Sequence, residues 1–397
     1  MQNSILMKLD CKIGLSLVIS GKNVNLGILI EYMDVTLKGS LSNMQHSIQG
    51  ISILVELSFV FFFSLTALFT LRKAAKYVGL VDSPNLRKHH EGVVPLVGGI
   101  AVFVTLAQFI YSNPNLMPHA NLFLASIAVL TVIGALDDKY DISYKFRLVI
   151  QTLLTIAMMF FTNFELNFVG DILGFGDLQF GWLAPFITVL AVLGAINAFN
   201  MVDGVDGLLG GISIVTFLSL AVILAMGSQY ELTYLCIVIV IALIPYVLFN
   251  LGWLGRKRRV FMGDAGSMMI GFTVIWLLLG ASQTASDTIM RPVTGLWIIG
   301  LPLMDMTAVM YRRIKRGRSP FRPDRDHLHH ICLRLGLGKY QTLFVICGLA
   351  AIFALAGVLG EYAQIPEFIM FFGFLICFAI YSYVLMINWP SRTNELS

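Results

Sequence analysis

Apolar residues run through this chain in stretches of roughly 18 to 22, separated by short polar segments. A helix rising about 1.5 Å per residue crosses about 30 Å of hydrocarbon in such a stretch. The windows fall at 52–71, 93–112, 119–136, 145–162, 182–199, 208–226, 232–251, 265–284, 293–311, 341–359 and 366–387. The pattern predicts an all-α, polytopic integral membrane protein with about 11 transmembrane helices. Residues 1–47 differ in texture: they are moderately apolar, carry Lys8, Lys12, Lys22 and Lys38, and show no signal-peptide core and cleavage site. We expect 1–47 to be a leader that is dispensable or a product of start-site choice, with Met44 as an alternative start. Residues 48–390 then form one multi-span domain and 391–397 a cytoplasmic tail.

Composition agrees with the pattern. The 397 residues are 57% apolar and 13% charged, and a mean hydropathy of +0.81 exceeds that of an ordinary soluble domain. Lys and Arg give the direction of the spans. Arg72, Lys73, Lys76, Arg87, Lys88, Lys139, Lys145, Arg147, Arg256–Arg259 and the cluster from Arg312 to Lys339 all fall in loops on one side, whereas the loops between spans on the other side hold Arg291 alone. By the positive-inside rule the basic side and the C-terminus are cytoplasmic. The net charge of +4 therefore reports topology, and no nucleic-acid partner is implied. Cys11, Cys236, Cys332, Cys347 and Cys377 show no paired spacing and read as free thiols.

With this topology the unusual polar clusters share one side. LVDSPNLRKHHEGVVPLVGG (80–99) opens with a turn around Asp82 and continues into a basic run, which by itself is an ordinary inner loop. ALDDKYDIS (135–143) places Asp137 and Asp138 at a helix C-terminus, where the helix dipole disfavours negative charge. In NAFNMVDGVDG (197–207), Asp203 and Asp206 stand three apart, so a helical turn would aim both at one point. FMGDAGS (261–267) sets Asp264 beside glycines at the start of an apolar run; an N-cap explains such an Asp, and the glycines would also let backbone amides approach a phosphate. RGRSPFRPDRDHLHHICLRLGL (316–337) brings Arg316, Arg318, Arg322 and Arg325 together with His327, His329 and His330. The HLHH grouping has metal donors, but no cysteine or second histidine pair stands nearby, which disfavours zinc. Within the ninth window, Asp305 reads equally as a structural acid facing the bundle and as a substrate group.

Carboxylates facing a basic, histidine-bearing loop suit chemistry on a phosphorylated substrate: the acids hold a hard divalent cation, and guanidinium groups take the remaining negative charge. The chain has no GxxxxGK[ST] motif, which argues against a P-loop ATPase. A DG dipeptide alone could suggest a CDP-alcohol phosphotransferase, but no Ala-Arg follows at the spacing required. Secondary transporters place their acids near the bilayer midplane, whereas these gather at one face.

The motifs LVDSPNLRKHHEGVVPLVGG, DDKYDIS, NAFNMVDGVDGL, FNLGWLGRKRRVFMGDAGS and RDHLHH, in this order, resemble the polyprenyl-phosphate N-acetylhexosamine-1-phosphate transferase family over about residues 50–390. The resemblance implies a transfer of N-acetylglucosamine 1-phosphate from UDP-N-acetylglucosamine to undecaprenyl phosphate, at the start of lipid-linked cell-surface polysaccharide synthesis. The HLHH loop and the GRKRR segment favour this donor over UDP-N-acetylmuramoyl-pentapeptide. The resemblance also implies a bacterial inner-membrane location, a catalytic cleft on the cytoplasmic face, and Mg²⁺ or Mn²⁺ as cofactor. It leaves the oligomeric state open, a homodimer included. Carried over by position, Asp264 ligates the metal, Asp137 deprotonates the lipid phosphate or attacks as a nucleophile, and Asp138 supports the same metal site. Asn200, Asp203 and Asp206 bind nucleotide and metal, with Asp203 a metal ligand and Asn250 near the uridine. Arg325, His327, His329 and His330 meet the diphosphate and sugar. Asp82 and Lys88 belong to the first loop of the site, and Lys139 and Lys145 are weaker candidates for the lipid phosphate.

Overall fold

The computed structural model describes residues 7–8, 16–19, 22–82, 92–283, 288–317, 319 and 327–387, with side chains from residue 51 onward, and divides the chain into two compact units, Met1–Phe59 and Val60–Ser397. In the first unit, strands β1 (Met7–Lys8), β2 (Ser16–Ile19) and β3 (Lys22–Asn25) pair antiparallel in that order. The helix α1 (Leu26–Val78) then begins, and its 53 residues run through the unit boundary. Its membrane-length apolar part is Ile51–Val78, as the sequence pattern leads one to expect, and the helix starts far upstream because no proline interrupts 26–50.

The second unit is almost entirely helical. Strands β4 (Val81–Asp82) and β5 (Val94–Pro95) form a two-stranded ladder, followed by α2 (Gly98–Ser112), α3 (Ala120–Tyr140), α4 (Tyr144–Thr162), α5 (Ala184–Val202), α6 (Leu208–Met226) and α7 (Tyr230–Asn250). After these come α8 (Gly263–Ser282), α9 (Pro292–Ile298), α10 (Gly300–Lys315), α11 (Leu328–Arg334), α12 (Lys339–Tyr362) and α13 (Glu367–Ile387). Nine of the described helices are long and apolar enough to cross a membrane, or ten if α9 and α10 count as one bent span.

Each of the eleven expected windows contains helix, but two depart from a simple span. The second window loses its first residues to β5, leaving α2 with 15 residues. The ninth breaks at Ile299, where α9 and α10 meet at 78°. Pro302 explains the restart: it has no N–H to give to the previous turn, and beginning a new helix at Gly300 puts it in the first turn, where no such bond is needed. Arg291, expected as a lone outer-loop cation, is a half-buried tie at the opposite end of the bundle. Its Nε donates to Glu361 at 3.2 Å, and Thr294 of α9 donates to the same carboxylate, so α9 is pinned to the end of α12.

At the centre lies α8, buried along nearly its whole length between α2, α3 and α5. A helix wrapped by others in this way can be apolar on every face. Small residues let its neighbours come close. A Cβ on Gly134 of α3 would fall 2.3 Å from the Ala265 nitrogen, and one on Gly99 of α2 would fall 2.2 Å from Gly266 Cα. The segment ahead of α2 also bonds to the segment ahead of α8, with Gly98 and Gly99 donating to the carbonyls of Phe261 and Met262 at 2.9 and 3.0 Å. Two motifs far apart in sequence, PLVGG and FMGD, thereby become one packed layer.

Candidate active site

The ends of α3, α5 and α10 and the starts of α4, α8 and α12 meet at one end of the bundle, and the acids gather there. Asp137 and Asp138 stand in the last turn of α3, which closes at Asp141 in the left-handed conformation. The unfavourable helix dipole is offset from outside the helix. Asp138 Oδ1 accepts the Asp264 N–H at 2.9 Å and its Oδ2 the Ala265 N–H at 3.4 Å, so α3 supplies the N-terminal cap of α8. Gly263, at φ +72°, leaves the room: a Cβ there would lie 2.3 Å from Asp138 Oδ2. Thus Asp264 is not the cap of its own helix, and its carboxylate is released toward the site.

Asp264 is held from two sides. Its Oδ1 accepts from Asn200 at 2.8 Å, and its Oδ2 accepts from Arg147 Nη1 at 2.7 Å. The same Nη1 donates to Asp137 Oδ2 at 2.5 Å, so two carboxylates converge on one cationic nitrogen. Asn200 also donates to Ser267 Oγ at 2.8 Å, which fixes the amide against α8.

Asp203 and Asp206 do not share a helical turn. Helix α5 ends at Val202 and α6 begins at Leu208, and the link between them passes through Gly207 at φ +82°. The carboxylates separate as a result. Asp203 lines a cavity of about 270 Å³, whereas Asp206 pairs with Arg259 at 3.2 Å and with Lys339 at 3.6 Å. Asn250 lies outside the cavity lining. Its buried amide oxygen accepts the Gly207 N–H and its nitrogen donates to the Val260 carbonyl at 2.8 Å, tying the Asp203–Asp206 link to the segment before α8. Asp82 sits in β4, also outside the cavity lining. Lys88, Arg318, Arg322, Arg325, Cys11 and the tail 391–397 lie outside the described residues.

The cavity is lined by Tyr144, Arg147 and Gln151 of α4, Asn197, Asn200 and Asp203 at the end of α5, Arg313 of α10, and His327, His329 and His330. Asp203 thus shares one small space with Arg147, Arg313 and three histidines, whereas Asp137 and Asp264 stand behind Arg147, outside the lining, and Asp138 is outside it too. Asp203 is open to this cavity but enclosed by surrounding protein. That enclosure, with the neighbouring carboxylates of Asp264 and Asp206, pushes its carboxyl up to about 7. His329 is buried against Gly204, where a Cβ would fall 2.2 Å from the ring. Burial, with His330 and His327 beside it, pushes the imidazole down to about 3, so it stands neutral. Among the described residues no group of three or more His, Cys, Asp or Glu side chains is arranged to hold a metal. Cys236, Cys332, Cys347 and Cys377 are free thiols.

Arg147 is the residue that sequence reasoning passed over, having counted only as a topology charge. A signal was present: it lies in the first turn of α4, where the helix dipole disfavours a cation, just as Asp137 and Asp138 sit at the wrong end of α3. Arg313, which also lines the cavity, carried no such signal.

Residues 120–282, the stretch that holds Asp137, Asp138, Asn200, Asp203 and Asp264, match the model of glycosyl transferase family 4. Similarity to curated relatives extends over most of the chain. A protein of Escherichia coli O157:H7 named undecaprenyl-phosphate alpha-N-acetylglucosaminyl 1-phosphate transferase is 48% identical over 340 residues, 85% of this chain and 92% of the relative. This chain belongs to glycosyl transferase family 4. Proteins of the same name from Salmonella typhi and Pasteurella multocida (strain Pm70) are 46% and 48% identical over 337 and 326 residues, covering 85% and 82% of this chain and 92% and 91% of the relatives. As a family 4 transferase with nine or ten membrane-length helices among its described residues, the protein is a multi-pass membrane enzyme with a cavity at one end of its bundle.

Proposed function

We propose that this enzyme transfers N-acetylglucosamine 1-phosphate from UDP-N-acetylglucosamine to undecaprenyl phosphate, giving N-acetylglucosaminyl-diphospho-undecaprenol and UMP. The observation that carries this reading is the 46 to 48% identity with relatives bearing that name. The lysine- and arginine-rich end of the bundle, where the cavity lies, supports a cytoplasmic active site in a bacterial inner membrane. The product would serve as the first lipid-linked intermediate of a cell-surface polysaccharide.

In this reading Asp137 takes the proton of the lipid phosphate. The freed phosphate oxygen bonds to the phosphorus that carries the sugar, the bond from that same phosphorus to the bridging oxygen breaks, and UMP leaves with the bridging oxygen. One phosphoanhydride replaces another, so no ATP is needed. Arg147 and Arg313, which both line the cavity, take phosphate charge, and the histidines hold the diphosphate and sugar. Asp203 and Asn200 face the donor, while Asp206 and Asn250 position the Asp203 link from behind.

A hard divalent cation, Mg²⁺ or Mn²⁺, suits these residues. The donors are all oxygens, and two carboxylates already converge on one positive nitrogen. Asp264 and Asp203 would hold the cation, whose contribution when bound is to neutralise diphosphate charge. Asp138 would act on that site indirectly, because both its oxygens face backbone amides. The test is purified enzyme with undecaprenyl phosphate, Mg²⁺ and radiolabelled UDP-N-acetylglucosamine. Label should pass to the lipid phase. Folded enzyme that labels lipid only with UDP-N-acetylmuramoyl-pentapeptide would overturn the donor assignment, and no labelling with either donor would overturn the reaction.

A further inference from the structure

Asp305 is an acid inside the membrane-length part of the chain and touches neither Asp137 nor Asp264. It is 4% exposed, and a charge so placed persists only with close partners. Three surround it. His327 Nδ1 lies 2.8 Å from its Oδ2, the backbone N–H of Leu328 donates to its Oδ1 at 3.0 Å, and the Tyr381 hydroxyl donates to Oδ1 at 2.8 Å. These contacts join α10, the start of α11 and the distant α13.

The chemistry of two of these contacts fixes the third. A backbone N–H only donates and a phenol donates readily, so Asp305 is satisfied as an ionised acceptor. Its remaining partner, Nδ1 of His327, must then carry a proton. In a neutral imidazole that leaves Nε2 as the ring's acceptor, and His327 lines the same cavity as Asp203 and Arg147. The ring plane is held as well: it lies 2° from parallel with His329 at 5.8 Å between centroids. Tautomer and orientation of a cavity-facing histidine are therefore both set by an acid that does not reach the cavity.

We propose that Asp305, supported by Tyr381, is a positioning residue for the transfer reaction, holding His327 with Nδ1–H inward and Nε2 turned toward the diphosphate of the donor. This rests on reading the cavity as the donor site. An amide at 305 would break the arrangement, since its NH₂ can donate to Nδ1 and so stabilise the opposite tautomer, as is seen when the aspartate of an Asp–His pair is replaced in hydrolases.

The experiment is a double-mutant cycle in the labelled-lipid assay, with the full chain in detergent. Asp305→Asn should lower kcat with UDP-N-acetylglucosamine roughly 100-fold, the scale of a misplaced reacting group, and leave the KM for undecaprenyl phosphate unchanged. In a His327→Gln background the same substitution should bring no further loss, because its effect travels through the ring. An equal loss in both backgrounds would make Asp305 a general structural acid and overturn the proposal, as would full activity in Asp305→Asn. Nitrogen-labelled histidine NMR on the wild-type protein gives a readout that needs neither substrate nor a folded variant. His327 protonated on Nδ1 agrees with the proposal, and His327 protonated only on Nε2 defeats it, whether or not the assigned reaction is correct. Tyr381→Phe, which keeps the Asp–His contact, should retain that tautomer.

Discussion

Asp138 caps a helix to which it does not belong: its Oδ1 accepts the backbone N–H of Asp264, 126 residues away, at 2.9 Å. The bond sets an otherwise unfavourable pair of acids at the end of α3 against the positive end of α8. Replacing Asp138 by Ala leaves the amides of Asp264 and Ala265 without this acceptor and should cost about 1 kcal/mol of stability. Asp138→Asn keeps an acceptor and should melt close to wild type. Thermal unfolding of the two variants in detergent decides the point, and equal melting temperatures would remove the capping role.

Arg147 offers a second test, because one nitrogen neutralises both Asp137 and Asp264. Arg147→Gln keeps a polar side chain but removes the charge. A divalent cation should then bind about tenfold more tightly, since a charge competing for the same carboxylates is gone, each tenfold being about 1.4 kcal/mol. Transfer should fall even at saturating cation. Mn²⁺ titration by electron paramagnetic resonance measures the first effect, and weaker Mn²⁺ binding would contradict it.

Proton and cation should compete at Asp203. Its carboxyl is pushed up to about 7, so below that pH it carries a proton that a bound cation must displace. Mn²⁺ affinity should therefore climb as pH rises toward about 7 and level off above it. In Asp203→Asn the climb should be reduced. A wild-type affinity that stays flat from acid to neutral pH would exclude the linkage.

His329 makes folding stability itself depend on pH. Its folded form stays neutral down to about 3, while an unfolded histidine takes up a proton near the ordinary value of about 6.5. Between these values the unfolded state binds more protons, so stability rises with pH across the window and is lost as pH falls through it. The His329 part of the melting temperature should drop between pH 7 and pH 5, against the opposite pull of Asp203, whose raised carboxyl takes up a proton in the folded state over the same range. His329→Gln should remove that part, so the difference in melting temperature between wild type and variant should shrink toward acid pH, which differential scanning fluorimetry would record.

Gly134 makes the packing testable. A methyl at this position would lie 2.3 Å from the Ala265 backbone nitrogen, and relief requires moving the start of α8, with Asp264 on it. Gly134→Ala should cost about 1 to 3 kcal/mol and reduce transfer as well. Crosslinking or melting data showing wild-type packing would rule this out.

The acids that mark the site were legible because each violates a local expectation: Asp137 and Asp138 at a helix C-terminus, Asp203 and Asp206 in a polar break between two apolar runs. What that reading could not supply was direction. It gave Asp203 and Asp206 a common target through an assumed helical turn, whereas α5 ends at Val202 and leaves both in a non-helical link, where Asp206 pairs with Arg259. It placed Asp264 as an ordinary cap candidate, whereas the cap comes from α3. Asp305 and His327 were each visible, 22 residues apart, but their pairing was not.

By itself the sequence determined an apolar, many-helix membrane protein, the side on which its charges lie, and the motifs of its family, because span length, charge bias and residue type are local properties. Tertiary structure alone decided which carboxylate meets which cation: Arg147 between Asp137 and Asp264, Asp206 against Arg259, and Asp305 behind His327. Those pairings depend on close approach of helices distant in the chain and on a bend of 78° between α9 and α10. Hydrogen bonds act only over about 3 Å, and no sequence spacing reports a distance that short between separate helices.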